Sequence, residues 1–271
     1  MKIISLFSVL FGLATICSAQ PKDADKQFTV RWYGQAFFTI TSPSGRVVAF
    51  DPHVMEEFPR EGKVKADIVC QCHPDADKDR LEQSIEGADT GKVKVFRGYK
   101  KANPGKPWDW NLIDEKSAVG EETYRIRTVG NYRDALEGKK WGKNSTFVVE
   151  MEGVTFCHLG YLGHTLSKAE IEAIGPVDVL FVPVGGVYMI NGEMAREVVS
   201  SLKPKRYLFP MAYAFNGQPD TLLSADEFLD GLDPQVNATT TNHFSFGLSQ
   251  KPAAPTTVVL GWKPGTPVEK K

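Results

Sequence analysis

Four ionisable side chains crowd into six residues of the segment ADIVCQCHPDADKDRL, where His73, Asp75, Asp77 and Lys78 follow an apolar run. Imidazole and carboxylate at two-residue spacing behind a strand is the layout of a metal-binding loop, because such donors can turn together onto one cation. Lys78 breaks that layout, since an ammonium group offers no lone pair and repels a cation. The same residue types also make an ordinary solvated loop, the usual state of a charged run such as DADKDR.

Further loops at strand ends carry polar residues of the same kind. They are DPH at 51–53, GNYRD at 130–134, HLGYLGH at 158–164 and PMAY at 210–213. Each is weak alone, and a single histidine such as His53 or His243 is more often hydrogen-bonded in a core or exposed than a ligand. The PVGG at 183–186 is explained by a tight strand-to-helix turn. Trp108 and Trp110, in GKPWDWNLID, close a loop over the core or lid the site.

The elements that must position these loops read as strands first and helix–strand units later. FTVRWYG, AFFTITS, RVVAFDP, ADIVCQC, KVKVFRG and YRIRTVG are short β-rich runs, with a helical signal near 77–85. In the second half TLSKAEIEAIG has a Thr or Ser cap and a terminal Gly, and GEMAREVVSSLKP is amphipathic and stopped by Pro204. Between them VDVLFVPVGG is continuously apolar, as a strand buried on both faces should be. KRYLFPMAY and a third helix, SADEFLDGL, follow. This order predicts a single-domain α/β sandwich over 26–262 with a tail at 263–271.

Composition narrows the partners. The chain has 271 residues, 42% hydrophobic and 24% charged, and 32 Lys plus Arg against 33 Asp plus Glu give a net charge of -1. That balance gives no bulk attraction to nucleic acid or to an anionic membrane. The start MKIISLFSVLFGLATICSAQ joins one Lys, an apolar run and small residues, which predicts a signal peptide at 1–19, cleavage near Ala19 and a secreted or periplasmic product with no stable membrane anchor. Cys70, Cys72 and Cys157 then remain, and the reading for them is three buried, inert thiols.

From Thr29 to Leu232 the sequence resembles the metallo-β-lactamase superfamily, in its branch of small lactonase-like and uncharacterised metal-dependent hydrolases. VRWYGQAFFTI with VVAFDPH resembles its opening hairpins; GKNSTFVVEMEGVTFCHLG, GPVDVLFVPVGGVYMINGEMA and LKPKRYLFPM resemble its second half. The resemblance implies an αββα sandwich with the site along one edge of two sheets. It also implies a pair of metals, held by an H-x-H-x-D-H loop and three later ligands. His73, Asp75, Asp77 and Lys78 stand at the four loop positions, Arg133 at the next histidine, Tyr161 at the bridging carboxylate and Ala212 at the last histidine. Five of the seven are replaced. His53, His158, Asn144 and His164 are the expected surrounding residues.

Asp75 and Asp77 against Lys78 and Arg133 sum to zero charge, so these four are expected to pair where the metals would sit. No cofactor is then expected, and the first reading is an exported protein of this fold that has lost its dinuclear centre and activity, with a binding or scaffold role. The ligand is an unknown small molecule or protein, an anion gripped by Lys78 and Arg133 included. The alternative is a hydrolase of lactonase or phosphoesterase type, with zinc or another divalent metal at an altered, mononuclear site on His73, Asp75 and Asp77 and with His158 nearby.

Overall fold

Alternating and continuous apolar runs produce two facing sheets. The computed structural model describes residues 26–74, 78–100, 107–119, 122–215, 222–230, 232 and 236–262. In chain order the first half supplies β1 (Gln27–Trp32), β2 (Phe38–Thr41), β3 (Val47–Phe50), β4 (Ile68–Gln71), helix α1 (Lys78–Ser84), β5 (Lys94–Arg97), the short pair β6 (Tyr99–Lys100) and β7 (Asp109–Trp110), and β8 (Asp114–Val119). The second half supplies β9 (Glu122–Tyr132), β10 (Lys143–Met151), β11 (Val154–His158), α2 (Lys168–Ile174), β12 (Val179–Pro183), α3 (Gly192–Leu202), β13 (Tyr207–Met211), α4 (Asp226–Leu229), β14 (Val236–Ala238), β15 (His243–Gly247) and β16 (Thr256–Val259).

One sheet runs β15-β1-β2-β3-β4-β5 and the other β14-β16-β13-β12-β11-β10-β9-β8. Antiparallel hairpins give way to parallel strands where helices intervene: β3, β4 and β5 are parallel around α1, and β11, β12 and β13 around α2 and α3. All five residues of β12 are buried, as the apolar run demands for a central parallel strand. The two sheets face each other through aromatic side chains. Phe28 meets Phe156 at 5.1 Å and Phe38 meets Phe181 at 4.8 Å between ring centres.

The helices sit where their caps place them. Ser167 caps α2 in a capping box with Glu170, and Gly175 ends it at φ 73°. Asn191 caps α3 through Met194 N, and Lys203 turns left-handed just before Pro204. α3 buries Ala195, Val198 and Leu202. The result is the αββα sandwich expected for the chain. Its topology brings the C-terminal ends of β3, β4, β9, β11 and β13 to the residues singled out above.

Candidate functional site

Arg133 follows the end of β9, and the loop after it is built to hold that position. Asp134 accepts backbone N–H groups of Leu136 (2.8 Å), Gly138 (3.0 Å), Lys140 (3.1 Å) and Trp141 (2.6 Å). Burial works to raise its pKa, but these four donors win and hold the carboxyl below the usual aspartate range. On the other side the backbone of Gly163 passes so close that an added Cβ would lie 1.9 Å from the Arg133 carbonyl carbon. Its N–H bonds Tyr132 O at 2.9 Å, so only glycine lets these loops clasp.

The guanidinium reaches His73 across the sandwich, with Nη1 3.0 Å from Nε2 of the imidazole. Arginine only donates, so His73 Nε2 is the acceptor and that ring nitrogen carries no proton. The same guanidinium lies over the ring of Tyr161 at 5.2 Å and of Tyr188 at 5.7 Å. The rings of Trp108 and His73 stand at 83° with centres 5.5 Å apart, and Trp108 also meets Tyr99 at 5.8 Å. Burial first, then the neighbouring Asp51 charge, pushes the Tyr161 phenol far up, so it stays protonated.

The remaining expected residues take supporting places. Ala212 follows β13 at φ 51° and bonds its N–H to Gln35 O at 3.3 Å. Asn144 is buried and ties three segments together, giving Nδ2 to Asn131 Oδ1 (2.6 Å) and Leu159 O (2.8 Å) and taking the Tyr161 N–H at 2.9 Å. His164 accepts the Tyr132 N–H at 3.3 Å, and His53 bonds Gly34 O at 2.9 Å and packs on Phe37. Asp75 and Asp77 lie outside the described residues, as does the Lys78 side chain, so the expected ion-pair cluster falls there too. Among the described residues the guanidinium meets His73, Tyr161 and Tyr188, and its charge also acts on Asp51.

A second group was not anticipated. Asp51, Cys72 and His158 leave the ends of β3, β4 and β11, and one potential ligand atom from each lies within 4.8 Å of the others. Asp51 turns through φ 42° so that Oδ1 accepts the Cys72 N–H at 2.6 Å. Its Oδ2 is buried, has no hydrogen-bond partner and stands 3.8 Å from His158 Nδ1. Cys72 Sγ is 3.5 Å from that same nitrogen. Burial raises Asp51 to about 6 against the lowering effect of the Cys72 bonds, and lowers His158 to about 3. Burial and the Asp51 charge push the Cys72 thiol far up.

One expectation changes here. Cys70, Cys72 and Cys157 are buried and free, with burial pushing each thiol up, as expected, and Cys72 also faces a carboxylate and an imidazole. The expectation of no cofactor finds no support, since oxygen, sulfur and nitrogen donors converge as a metal site requires. His158, expected as a surrounding residue, is a donor in that group.

A family model for the beta-lactamase superfamily domain matches residues 29–212, and the chain belongs to that superfamily. A protein of Anaeromyxobacter dehalogenans named a metal-dependent hydrolase is 29% identical over 231 residues, 77% of this chain and 84% of its own. One of Pyrococcus furiosus, also named a metal-dependent hydrolase, is 33% identical over 89 residues, 32% of this chain and 38% of its own. Among solved structures, a proposed Zn-dependent hydrolase of the metallo-beta-lactamase superfamily from Thermotoga maritima aligns with TM-score 0.61 and 29% identity, covering 87% of this chain and 100% of its own.

Proposed function

We propose that this protein is a metal-dependent hydrolase of its superfamily with an altered site, in which Arg133 supplies the positive charge of one of the two cations that the family arrangement would hold. The relatives matched over most of the chain, named metal-dependent hydrolases, support the reaction class. The observation that carries the alteration is Arg133 Nη1 at 3.0 Å from His73 Nε2. A guanidinium there takes up the lone pair that a metal would need.

The seven carried-over positions do not fit a metal pair. Arg133 and Lys78 are cations, Ala212 offers no donor and the Tyr161 phenol keeps its proton. What they fit is a fixed positive charge: the guanidinium of Arg133, bonded to His73 and braced on two tyrosine rings, places that charge where an anion or a developing oxyanion would be stabilised. Trp108 shields His73 from water and strengthens that stabilisation. Esters, lactones and phosphoesters carry the oxygen that this arrangement stabilises. A single bound metal ion would lower the pKa of a water molecule and so supply the nucleophile.

A second reading, ligand binding without turnover, is favoured by the state of the groups beside Arg133. His73 Nε2 is occupied and Tyr161 is protonated, so neither is poised as a general base. Turnover of a lactone and phosphodiester panel, with calorimetric binding of the same compounds, separates the two. Hydrolysis that falls at least tenfold in Arg133→Ala supports the hydrolase; Arg133-dependent binding without turnover supports the binder. Binding and turnover both indifferent to Arg133 would end both readings. We also propose export, with residues 1–19, outside the described residues, as the leader of a domain at 26–262.

A further inference from the structure

The geometry points to a mononuclear metal site at Asp51, Cys72 and His158, taking one thiophilic divalent cation of the zinc class and separate from the seven positions of the family's metal pair. The three donor atoms lie within 4.8 Å of one another, and the two separations that involve His158 Nδ1 are within about 0.4 Å of those such an ion imposes. A tetrahedral zinc with ordinary bond lengths places sulfur and nitrogen ligands about 3.6 Å apart, and nitrogen and oxygen ligands about 3.4 Å apart. Cys72 Sγ and His158 Nδ1 are 3.5 Å apart, and His158 Nδ1 and Asp51 Oδ2 are 3.8 Å apart.

The orientation of each donor agrees. His158 Nε2 bonds Ala36 O at 3.0 Å, and only an N–H can do so, which leaves the Nδ1 lone pair directed at the sulfur and the carboxylate. Gly160 N–H lies 3.2 Å from that nitrogen and shares it in the ion-free protein. Asp51 commits Oδ1 to the Cys72 N–H and leaves Oδ2 buried without a partner, a costly arrangement unless something binds there. Gly160 also leaves the sulfur uncovered, since an added Cβ would lie 3.0 Å from Sγ.

Charge and softness select the ion. A thiolate and a carboxylate sum to two negative charges, and the imidazole is neutral, so a dication makes this buried group neutral as a whole. Sulfur with nitrogen favours zinc or cobalt over magnesium or calcium. Binding replaces the Cys72 thiol proton, releasing one proton to solvent as the sulfur–metal bond forms.

Cobalt(II) titration of the intact, folded protein tests the site. The expected result is one equivalent per chain with a near-ultraviolet thiolate-to-cobalt charge-transfer band, retained in Cys157→Ser and lost in Cys72→Ser. Because Cys72→Ser is a buried change, X-ray absorption on the zinc-loaded parent gives a reading free of any variant, with one sulfur expected at about 2.3 Å. Cobalt or zinc bound without sulfur, or no binding, overturns this site. Metal bound without sulfur overturns this site alone and leaves the hydrolase reading to its Arg133→Ala turnover assay, whereas no metal at all counts against both.

Discussion

Arg133 and His73, 60 residues apart in the chain, meet with Nη1 and Nε2 at 3.0 Å where two strand ends from different sheets face each other. This contact sets a fixed positive charge where the family arrangement has a histidine ligand. It also gives the imidazole a defined state, unprotonated at Nε2.

Removing the guanidinium should cost function, and its effect on stability reads its partners. Arg133 is half-buried, and its ring contacts and its bond to His73 by themselves contribute about 1–2 kcal/mol to what Arg133→Ala loses. Urea denaturation measures it. A loss several times larger would mean that the guanidinium is paired with a buried charge, as first expected for Asp75 and Asp77.

Asn144→Ala should be the more damaging change, although the residue touches no reacting group. It strips partners from Asn131 Oδ1, Leu159 O and the Tyr161 N–H, all in a buried setting. About 3 kcal/mol is expected from the groups left unpaired. Equal stability to the parent in denaturant would show that the strand ends hold without this tie.

Acid should loosen the loop that follows Arg133. The Asp134 carboxyl is held below its ordinary range in the fold, so it contributes stability above the unfolded value and that contribution disappears as pH falls through the folded one. The protection factors of the Leu136, Gly138, Lys140 and Trp141 amides, corrected for the slower intrinsic exchange in acid, should fall on acidification before those of β9. Asp134→Asn should show the same loss of protection at neutral pH; unchanged protection in that variant would refute the assignment.

Most of the scaffold was legible in the sequence, because strands and helices here follow local rules. The continuous apolar run became β12, and the Ser167 and Asn191 caps start α2 and α3. Spacing and resemblance also brought His73, Arg133 and Tyr161 to one place. The Asp51, Cys72 and His158 group was not read, because each residue lies in a different loop and cysteine suggested packing alone. The available signal was topology: β3 and β4 are parallel neighbours with Phe50 opposite Cys70, so Asp51 and Cys72 leave the same edge of the sheet within a residue of each other.

Export has its own test. N-terminal sequencing of the secreted or periplasmic product should find a chain beginning near Gln20. A product that keeps Met1 and stays in the cytosol would count against the leader.

Restoring the family's donors should restore the metal pair. Asp75→His, Lys78→His, Arg133→His, Tyr161→Asp and Ala212→His together should raise zinc binding by two equivalents per chain above the parent, while any one of them alone leaves a cation or an incomplete shell in place. Elemental analysis after dialysis reads the difference, and no gain in the fivefold variant, if folded, would show that the strand-end geometry is not the inherited one.

The central claim is that Arg133 stands in for one of two metals, and metal stoichiometry tests it most directly. Parent protein loaded with excess zinc and then desalted should retain one zinc per chain, measured by elemental analysis. Two zinc ions per chain, retained with Arg133 in place, would contradict the account.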